Sequence, residues 1–413
     1  MIALILGFVL IIVVEIISAK PYYSPAIYFA SLFLRDRLLP NIQVRNKVAI
    51  QLVIILLLII GQYVHNLKEK DLGIRRLSRI KIPALQKEGI IVIFVIITSS
   101  CIGLLNGYAL FHVLVDIYKV LEIFIFYYFF SYTWRTQEQV QKCLNVLEIE
   151  MCIFGLIEMF VTERGGIGIN IAISFAPFFL IRGFSKRKKH YWFIGIMSIL
   201  IVLISETRTY MIGFAIELVI LGLLGSGYRK NKIIKGSFLA SVFVIFVVGL
   251  YMTLSENTFL TSLLDRILAL RGGIEGAGGY RIYEIQKALE KFAESPILGK
   301  GYGYMEYVYI KLMGWFEWGD FMHNSYVEVL LKTGIVGAMV YGACLIDYIA
   351  KMINSIKYYQ KDSQEQAFLI AGLAGTAGWL LIYNAAPLSS YGYIFIPGII
   401  GMLYSYLPKS VNT

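Results

Sequence analysis

Long apolar runs separated by short polar segments recur along almost the whole chain. Each run has roughly 16 to 24 residues, and a helix needs about 20 residues to cross the hydrocarbon core of a bilayer. The twelve runs cover 2–19, 48–64, 89–108, 110–130, 141–161, 166–183, 191–206, 208–225, 237–254, 326–349, 366–386 and 391–407. This pattern predicts an all-α polytopic membrane protein with 12 or 13 transmembrane helices.

One apolar stretch does not fit the pattern of spans. In segment 20–47, the apolar stretch from Tyr22 to Leu34 lies between Pro21 and Arg35 and contains Pro25, so it has only about 13 residues. This segment could be a re-entrant element, an interfacial element or a thirteenth span. The first run of the chain lacks a basic start and a small-residue cleavage site, so we interpret it as a retained helix.

Composition and charge support the membrane assignment. The chain is 58% hydrophobic and 16% charged, which excludes a soluble protein with a single core. Its formal net charge of +11 is concentrated in short loops around 68–87, 182–189 and 229–235, which predicts that these loops are cytoplasmic and gives no reason to expect a nucleic-acid partner. The four cysteines show no paired spacing, so neither a disulfide framework nor a metal site is predicted.

Alternation of the spans then places one long loop outside the membrane. We divide the chain into N-terminal transmembrane helices (1–254), a large extracytoplasmic loop (255–325) and C-terminal transmembrane helices (326–413). Within the loop, Ile282, Ile285, Leu289 and Phe292 are spaced as on one helix face. The spacing predicts an amphipathic helix that lies along the membrane surface or caps a cavity.

Two segments of the loop flank this helix. A glycine-rich stretch, RGGIEGAGGY, precedes it and would let the backbone approach a ligand closely. After Pro296 comes a tract rich in tyrosine and tryptophan. Aromatic residues gather at membrane interfaces, and they also stack on sugar rings, so both interpretations of the tract remain open.

A histidine lies at the predicted outer end of the next span, in DFMHNSYVEVLL. Ser325 and Glu328 have the S-x-x-E spacing of a capping box, so the helix should start at about Ser325, with His323 just before it. The positive end of a helix favours a neutral imidazole, which can accept a proton as a general base. The alternative is an interfacial histidine that is hydrogen-bonded to the loop.

Two arginines are predicted on the same side of the membrane as His323. Arg208 falls between two spans that are joined outside, where it either pairs with Glu206 or meets an anionic ligand. Arg281 belongs to the first turn of the loop helix, where the helix start and the guanidinium group both favour phosphate. A base with two phosphate-binding cations indicates transfer from a phosphorylated donor.

Other ionisable residues fall inside or beside the predicted spans, and they are weaker candidates for chemistry. Asp116 and Lys119, for example, can pair on one helix face. No D-x-D motif is present, which argues against a metal-bound nucleotide-sugar donor. The remaining residues of this group are Glu15, Glu148, Glu150, Glu158 and Glu217.

Several of these motifs together resemble a known family. RIYEIQKALEKFAESPILGKGYG, followed by HNSYVEVLLKTGIVG, resembles the C-terminal signature of the O-antigen ligase and Wzy-type polymerase superfamily. The S-x-T-R element that ends at Arg208 is also similar to a pattern of that family. The matching positions in the signature are Arg281, Pro296, Gly299, Gly301, His323, Asn324, Gly334 and Gly337.

The resemblance implies a glycosyltransferase that moves an undecaprenyl-diphosphate-linked glycan to an acceptor hydroxyl. The reaction would take place at the outer face of the bacterial plasma membrane, without a metal or cofactor, and would invert the anomeric carbon. By this analogy His323 deprotonates or positions the acceptor, while Arg208 and Arg281 hold the diphosphate. The residues expected to bind substrate are Asn324, Tyr280, Gly299, Gly301 and Tyr302.

The resemblance leaves the acceptor open. A polymerase of O-antigen or capsule would use another lipid-linked repeat unit, and we favour this interpretation; a ligase would use a lipid A core or a protein. A flippase and chain-length regulator proteins are expected partners. A glycolipid flippase or transporter would instead need charges near the middle of the bilayer, and a regulatory or assembly protein would leave the grouping of His323, Arg208 and Arg281 unexplained.

Overall fold

The computed structural model describes residues 14–38, 44–71, 85–120, 136–160, 166–186, 189–204, 208–224, 279–310, 315–319, 323–361 and 363–384. Helices α1 to α10 cover Ser24–Leu38, Val44–Asp71, Leu85–Leu105, Gln137–Phe160, Ile167–Lys186, Lys189–Ile204, Arg208–Leu224, Gly279–Ala293, Ser325–Tyr358 and Gln364–Ile382, in that order. Residues 14–19 and 110–120 are also helical. Two strands, β1 (Glu306–Ile310) and β2 (Trp315–Gly319), complete the elements.

The described residues fall into two compact units. The first contains 14–71 and 136–204, with helices α1, α2, α4, α5 and α6. The second contains 85–120 and 208–384, with helices α3 and α7 to α10, the helical segment 110–120 and both strands. Apart from the two strands, the regular elements of the described residues are helices, as the sequence predicts. The predicted spans 237–254 and 391–407 lie outside the described residues, so the count of twelve stays a prediction.

Three of the described helices have the length and apolar composition of membrane spans. They are Ile50–Lys68 within α2, the whole of α9 and the whole of α10. Shorter apolar stretches lie at 91–105, 167–182, 193–202 and 209–224. These helices agree with the prediction of a membrane protein.

The uncertain segment 20–47 contains α1, a helix of 15 residues that follows a 3₁₀ turn at Pro21–Tyr23. Tyr28, Phe29 and Leu32 of α1 are completely buried within the first unit. At 1.5 Å per residue the helix is about 22 Å long, shorter than the hydrocarbon core of about 30 Å. Helix α1 packs against α4 and α5, and this packing accounts for its apolar sequence.

Two buried carboxylates of the first unit have structural partners. Glu158 accepts hydrogen bonds from the backbone N–H groups of Gly168 and Ile169, both at 3.0 Å, and so caps the start of α5. Glu148 forms a buried ion pair with Arg182. Arg182, which the sequence pattern assigned to a cytoplasmic loop, is instead inside α5 and only 1% exposed.

The loop contains one element that the all-α prediction did not include. Strand β1 pairs with β2 in an antiparallel hairpin, with Glu306 opposite Gly319 and Ile310 opposite Trp315. The sequence of β1, EYVYI, is aromatic and β-branched, and such residues favour strands over helices. The chain leaves this hairpin four residues before His323, and β1 contacts α8.

Helix α9 is interrupted at Gly334, where φ is 68° and ψ is −172°. The loop Pro296–Gly303 fills the break with its own backbone. Lys300 N–H donates to the Leu331 carbonyl at 2.8 Å, and Gly301 N–H donates to the Lys332 carbonyl at 3.0 Å. In return, Ile335 N–H donates to the Pro296 carbonyl at 2.9 Å. Backbone groups that the break leaves without helical partners are therefore satisfied by the loop, as burial requires.

Candidate active site

His323 lies immediately before the first turn of α9, as the sequence predicts. Helix α9 starts at Ser325, and Asn324 is its N-cap, because the Asn324 side chain accepts a hydrogen bond from Val327 N–H at 3.0 Å. The predicted capping box of Ser325 and Glu328 is wrong by one residue. The buried Glu328 carboxylate is 3.1 Å from Lys332 Nζ, one turn further along the helix, and the Ser325 N–H donates to the Tyr383 carbonyl.

A carboxylate from the loop helix contacts His323. Glu284 of α8 places Oε2 at 3.0 Å from the His323 ring nitrogen Nδ1, and the same oxygen accepts from the His323 backbone N–H at 3.1 Å. The Glu284 side chain is 6% exposed and the His323 side chain 26% exposed, so the carboxylate is buried behind a ring that stays accessible. Glu284 was not among the site residues predicted from the sequence. The pattern around it is only weakly informative, because it is a single acidic residue three positions after Arg281.

The end of α10 joins this site to the start of α7. Asn324 Nδ2 donates to Asn384 Oδ1 at 2.8 Å, and Ser325 N–H donates to the Tyr383 carbonyl at 2.9 Å. The Trp379 ring contacts both Tyr383 and Tyr210, with centroids 5.9 Å and 6.1 Å apart. Helix α7 begins two residues before Tyr210, at Arg208. The backbone of Arg208 is therefore at the same end of this unit as His323.

Arg281 is in the first turn of α8, one turn before Glu284, and Tyr280 is its neighbour at the helix start. Three helices, α7, α8 and α9, thus begin at this end of the second unit, and each start carries one of the residues Arg208, Arg281 and His323. Helix N-termini carry partial positive charge and unpaired N–H groups, which favour anions. The arrangement is suited to holding a phosphorylated group beside an imidazole.

The other predicted substrate-binding residues are surrounded by protein backbone. A Cβ on Gly299 would lie 2.5 Å from Gly334 N, and one on Gly301 would collide with the backbone of Gly103. Both glycines have positive φ, 74° and 88°. Tyr302 is 3% exposed and its hydroxyl is 3.0 Å from that of Tyr341; burial raises the pKa of Tyr302 well above its usual value. Gly299, Gly301 and Tyr302 thus pack against other parts of the protein, while Asn324 is next to His323 in the chain and Tyr280 belongs to the helix that contacts it.

Four buried charged side chains form a network at the first turns of α9. The predicted pairing of Asp116 and Lys119, at 3.3 Å, is confirmed, and Lys332 joins it at 2.8 Å from Asp116 Oδ1. Glu328 lies 3.1 Å from Lys332 and 3.6 Å from Lys119. Asp116 Oδ2 also accepts from Gly303 N–H at 2.8 Å, which ties the network to the glycine loop. An adjoining cavity of about 20 Å³ has room for about one water molecule.

Within the described residues, no group of three or more histidine, cysteine or acidic side chains has the arrangement of a metal site. Among the buried carboxylates described in this unit, Asp116 and Glu328 pair with lysines and Glu284 contacts His323. Glu217 of α7 is completely buried, and both of its oxygens lack a hydrogen-bond partner. It lies against Gly378 of α10, where a Cβ would collide with its carboxylate.

Comparison with known proteins agrees with the motifs. Residues 193–342 match the family model Wzy_C, described as O-antigen ligase. A putative polysaccharide ligase from Rickettsia felis (strain ATCC VR-1525 / URRWXCal2) is 24% identical over 216 residues, which cover 49% of this chain and 48% of that protein. The chain thus spans about half the length of this curated relative.

The family match includes the starts of α7, α8 and α9, and with them Arg208, Arg281 and His323. It also includes Glu284, the glycine loop and the break in α9. Residues 193–342 are therefore similar to the O-antigen ligase family, in agreement with the resemblance that the sequence motifs implied.

Proposed function

We propose that the protein transfers a glycan from undecaprenyl diphosphate to an acceptor hydroxyl, at the outer face of a bacterial plasma membrane. The observation that supports this most directly is the common location of three helix starts around the partly exposed His323 ring. One end of the unit then offers a proton acceptor and an anion-binding surface together. Phosphorylated glycan donors need both during transfer.

In the proposed reaction, the His323 imidazole accepts the proton of the acceptor hydroxyl while its oxygen attacks the anomeric carbon of the donor. The bond from that carbon to the phosphate oxygen breaks, and the diphosphate leaves with the bonding electron pair. Arg208, Arg281 and the nearby helix N-termini stabilise the charge on the leaving group. A single displacement of this kind inverts the anomeric configuration and needs no metal.

The acceptor distinguishes two candidate functions. A polymerase would extend another lipid-linked repeat unit, and we retain this as the first candidate. A ligase would use a lipid A core or a protein, and both the description of the matching family and the name of the Rickettsia felis relative favour it. In either case a flippase would have to deliver the donor to the outer face, and a polymerase would act with chain-length regulator proteins.

Purified protein in nanodiscs tests the proposal when it is given undecaprenyl-diphosphate repeat units, with and without a lipid A core. A ladder of glycan lengths identifies a polymerase, and a single transfer that requires the core identifies a ligase. We expect His323→Ala to lower the rate by about 10²- to 10⁴-fold, the usual contribution of a general base. Arg208→Ala and Arg281→Ala should also abolish the product.

His190→Ala is a suitable control, because His190 is exposed at the start of α6 in the first unit. It should retain the wild-type rate. Full activity of His323→Ala at normal protein levels would contradict the assignment of the base. Absence of any transfer by the wild-type protein with either acceptor would contradict the proposed function itself.

A further inference from the structure

The contact between Glu284 and His323 determines which ring nitrogen carries a proton. An ionised carboxylate only accepts hydrogen bonds. Glu284 Oε2 lies 3.0 Å from Nδ1 and Oε1 lies 3.3 Å from it, so Nδ1 is the donor in this contact. A neutral imidazole has one N–H, and when Nδ1 holds it, the lone pair is on Nε2.

The same carboxylate also fixes the orientation of the ring. The backbone N–H of His323 donates to Glu284 Oε2 at 3.1 Å, so backbone and ring are held by one oxygen. Glu284 is nearly buried, and it belongs to a regular helix of 15 residues, so its position is set by α8 as a whole. Ala288, one turn later on α8, packs against Leu331 of α9 and keeps the two helices in contact.

We propose that Glu284 is the positioning residue of His323: it holds the ring in the tautomer with the proton on Nδ1 and leaves Nε2 to take the proton of the acceptor. This inference rests on the proposed role of His323 as the base. Once Nε2 has accepted the proton, the adjacent carboxylate also stabilises the positive charge of the ring.

Helix α8 gives this role a second consequence. Residues three positions apart lie on the same side of a helix, so positions 281 and 284 are about one turn apart on the same face of α8. A single rigid element would then carry both the cation for the leaving group and the carboxylate that orients the base. Movement of α8 would change both parts of the site together.

Nitrogen NMR of the wild-type protein tests the tautomer directly and without an activity assay. The chain has only four histidines, so protein labelled with ¹⁵N-histidine gives few imidazole signals, and the signal lost in His323→Gln is that of His323. We expect the neutral ring to show its proton on Nδ1. A wild-type ring with its proton on Nε2 would overturn the proposal, whether or not the protein transfers glycans.

Two substitutions separate the hydrogen bond from the charge. Glu284→Met has a similar shape but no acceptor, so the proton should move to Nε2. Glu284→Gln keeps a carbonyl oxygen that can accept from Nδ1, so the original tautomer should persist. If Glu284→Met left the tautomer unchanged in folded protein, the proposal would be wrong.

Kinetics then show whether the tautomer matters for transfer. We expect Glu284→Met to lower kcat about 10- to 100-fold, as is typical for residues that orient a catalytic group, with little change in the KM of the donor. Glu284→Gln should lose less activity than Glu284→Met. Glu290→Met is the matched control, because Glu290 belongs to the same helix, is 62% exposed and pairs with Lys287.

A purely structural role for Glu284 predicts a different result. Glu284→Met would then reduce the amount of folded protein, while kcat per folded molecule stayed at the wild-type value, and this outcome would contradict the positioning role. Failure of the wild-type protein to transfer any glycan would contradict the proposed function, but the tautomer measurement would still decide what Glu284 does to His323.

Discussion

Gly334 shows how one residue determines the course of a long helix. Its φ of 68° and ψ of −172° belong to a region that only glycine occupies readily. The loop backbone also leaves no room for a side chain, because a Cβ on Gly334 would collide with the Ile297 carbonyl and lie 2.5 Å from Gly299 N. Backbone strain and steric collision would therefore both oppose a side chain at this position.

We expect Gly334→Ala to destabilise the protein by about 1 to 3 kcal/mol through backbone strain, and the collision adds to this loss. Gly342→Ala is the control on the same helix, because no atom lies within 4 Å of the position of its Cβ. That change should be neutral or stabilising by about 0.5 to 1 kcal/mol. Thermal unfolding of the detergent-purified variants measures both, and equal melting temperatures would contradict the proposed role of Gly334.

For single residues, the sequence predicted those features that depend on neighbouring positions in the chain. His323 before a helix cap, and the start of that helix at Ser325, follow from a few neighbouring letters and are confirmed. The identity of the cap was missed, because Glu328 pairs with Lys332 on its own helix and with Lys119, which only the fold brings near it. Glu284 was missed for a similar reason: its contact with His323 joins positions 39 residues apart.

At the scale of elements, the buried network of Asp116, Lys119, Glu328 and Lys332 links α9, the helical segment 110–120 and the glycine loop. The side chains are between 1% and 6% exposed, so each charge depends on the others for compensation. Removing one partner of a buried ion pair leaves an uncompensated charge, whereas removing an opposite pair restores neutrality.

We therefore expect Lys332→Met to destabilise the protein by about 3 to 5 kcal/mol. Adding Asp116→Asn should recover part of this loss, because Lys119 and Glu328 remain as a neutral pair and the asparagine oxygen can still accept from Gly303 N–H. Denaturation of the single and double variants measures the coupling. A double variant no more stable than Lys332→Met alone would argue against a compensated network.

Lys351→Met provides the comparison on the same helix. Lys351 pairs with Asp347 at the same four-residue spacing as Glu328 and Lys332, but the two side chains are 31% and 47% exposed. Exposed ion pairs contribute little, so this change should alter stability by less than about 1 kcal/mol.

The elements themselves were predicted with uneven success, for physical reasons. Hydropathy identifies α9 and α10, since long apolar helices need no tertiary information, and helical spacing identifies α8. The burial of α1 was not predictable, because an apolar run of that length suits lipid and protein interior equally. Strand β1 was not predicted, because its aromatic residues are also typical of a membrane interface.

At the scale of the whole molecule, the length of α9 relates the candidate site to the membrane. Its 34 residues would extend about 51 Å as a continuous helix, more than the hydrocarbon core of about 30 Å. The positively charged loops and the alternation of the spans place the start of α9 outside the membrane and Lys361, which follows the end of α9, inside. His323 and Lys361 would then lie on opposite sides of the bilayer.

Cysteine labelling tests this orientation. In a background without the four native cysteines, Lys287→Cys on α8 should react with a membrane-impermeant maleimide in intact spheroplasts. Lys361→Cys, at an exposed position after α9, should react only after the membrane is permeabilised. The opposite pattern would reverse the predicted topology and move the candidate site to the cytoplasmic side.

The exchange of backbone hydrogen bonds at Gly334 also constrains how the protein is made. Until the loop docks, the two halves of α9 present unpaired carbonyl and N–H groups at the break, and a lipid environment cannot satisfy them. The loop precedes α9 in the chain, so it is already synthesised when the translocon releases the helix. We therefore expect the outer half of α9 to insert and the loop to dock in one cooperative event. A ribosome-bound chain that ends before Ile335 would still lack the N–H group that donates to the Pro296 carbonyl.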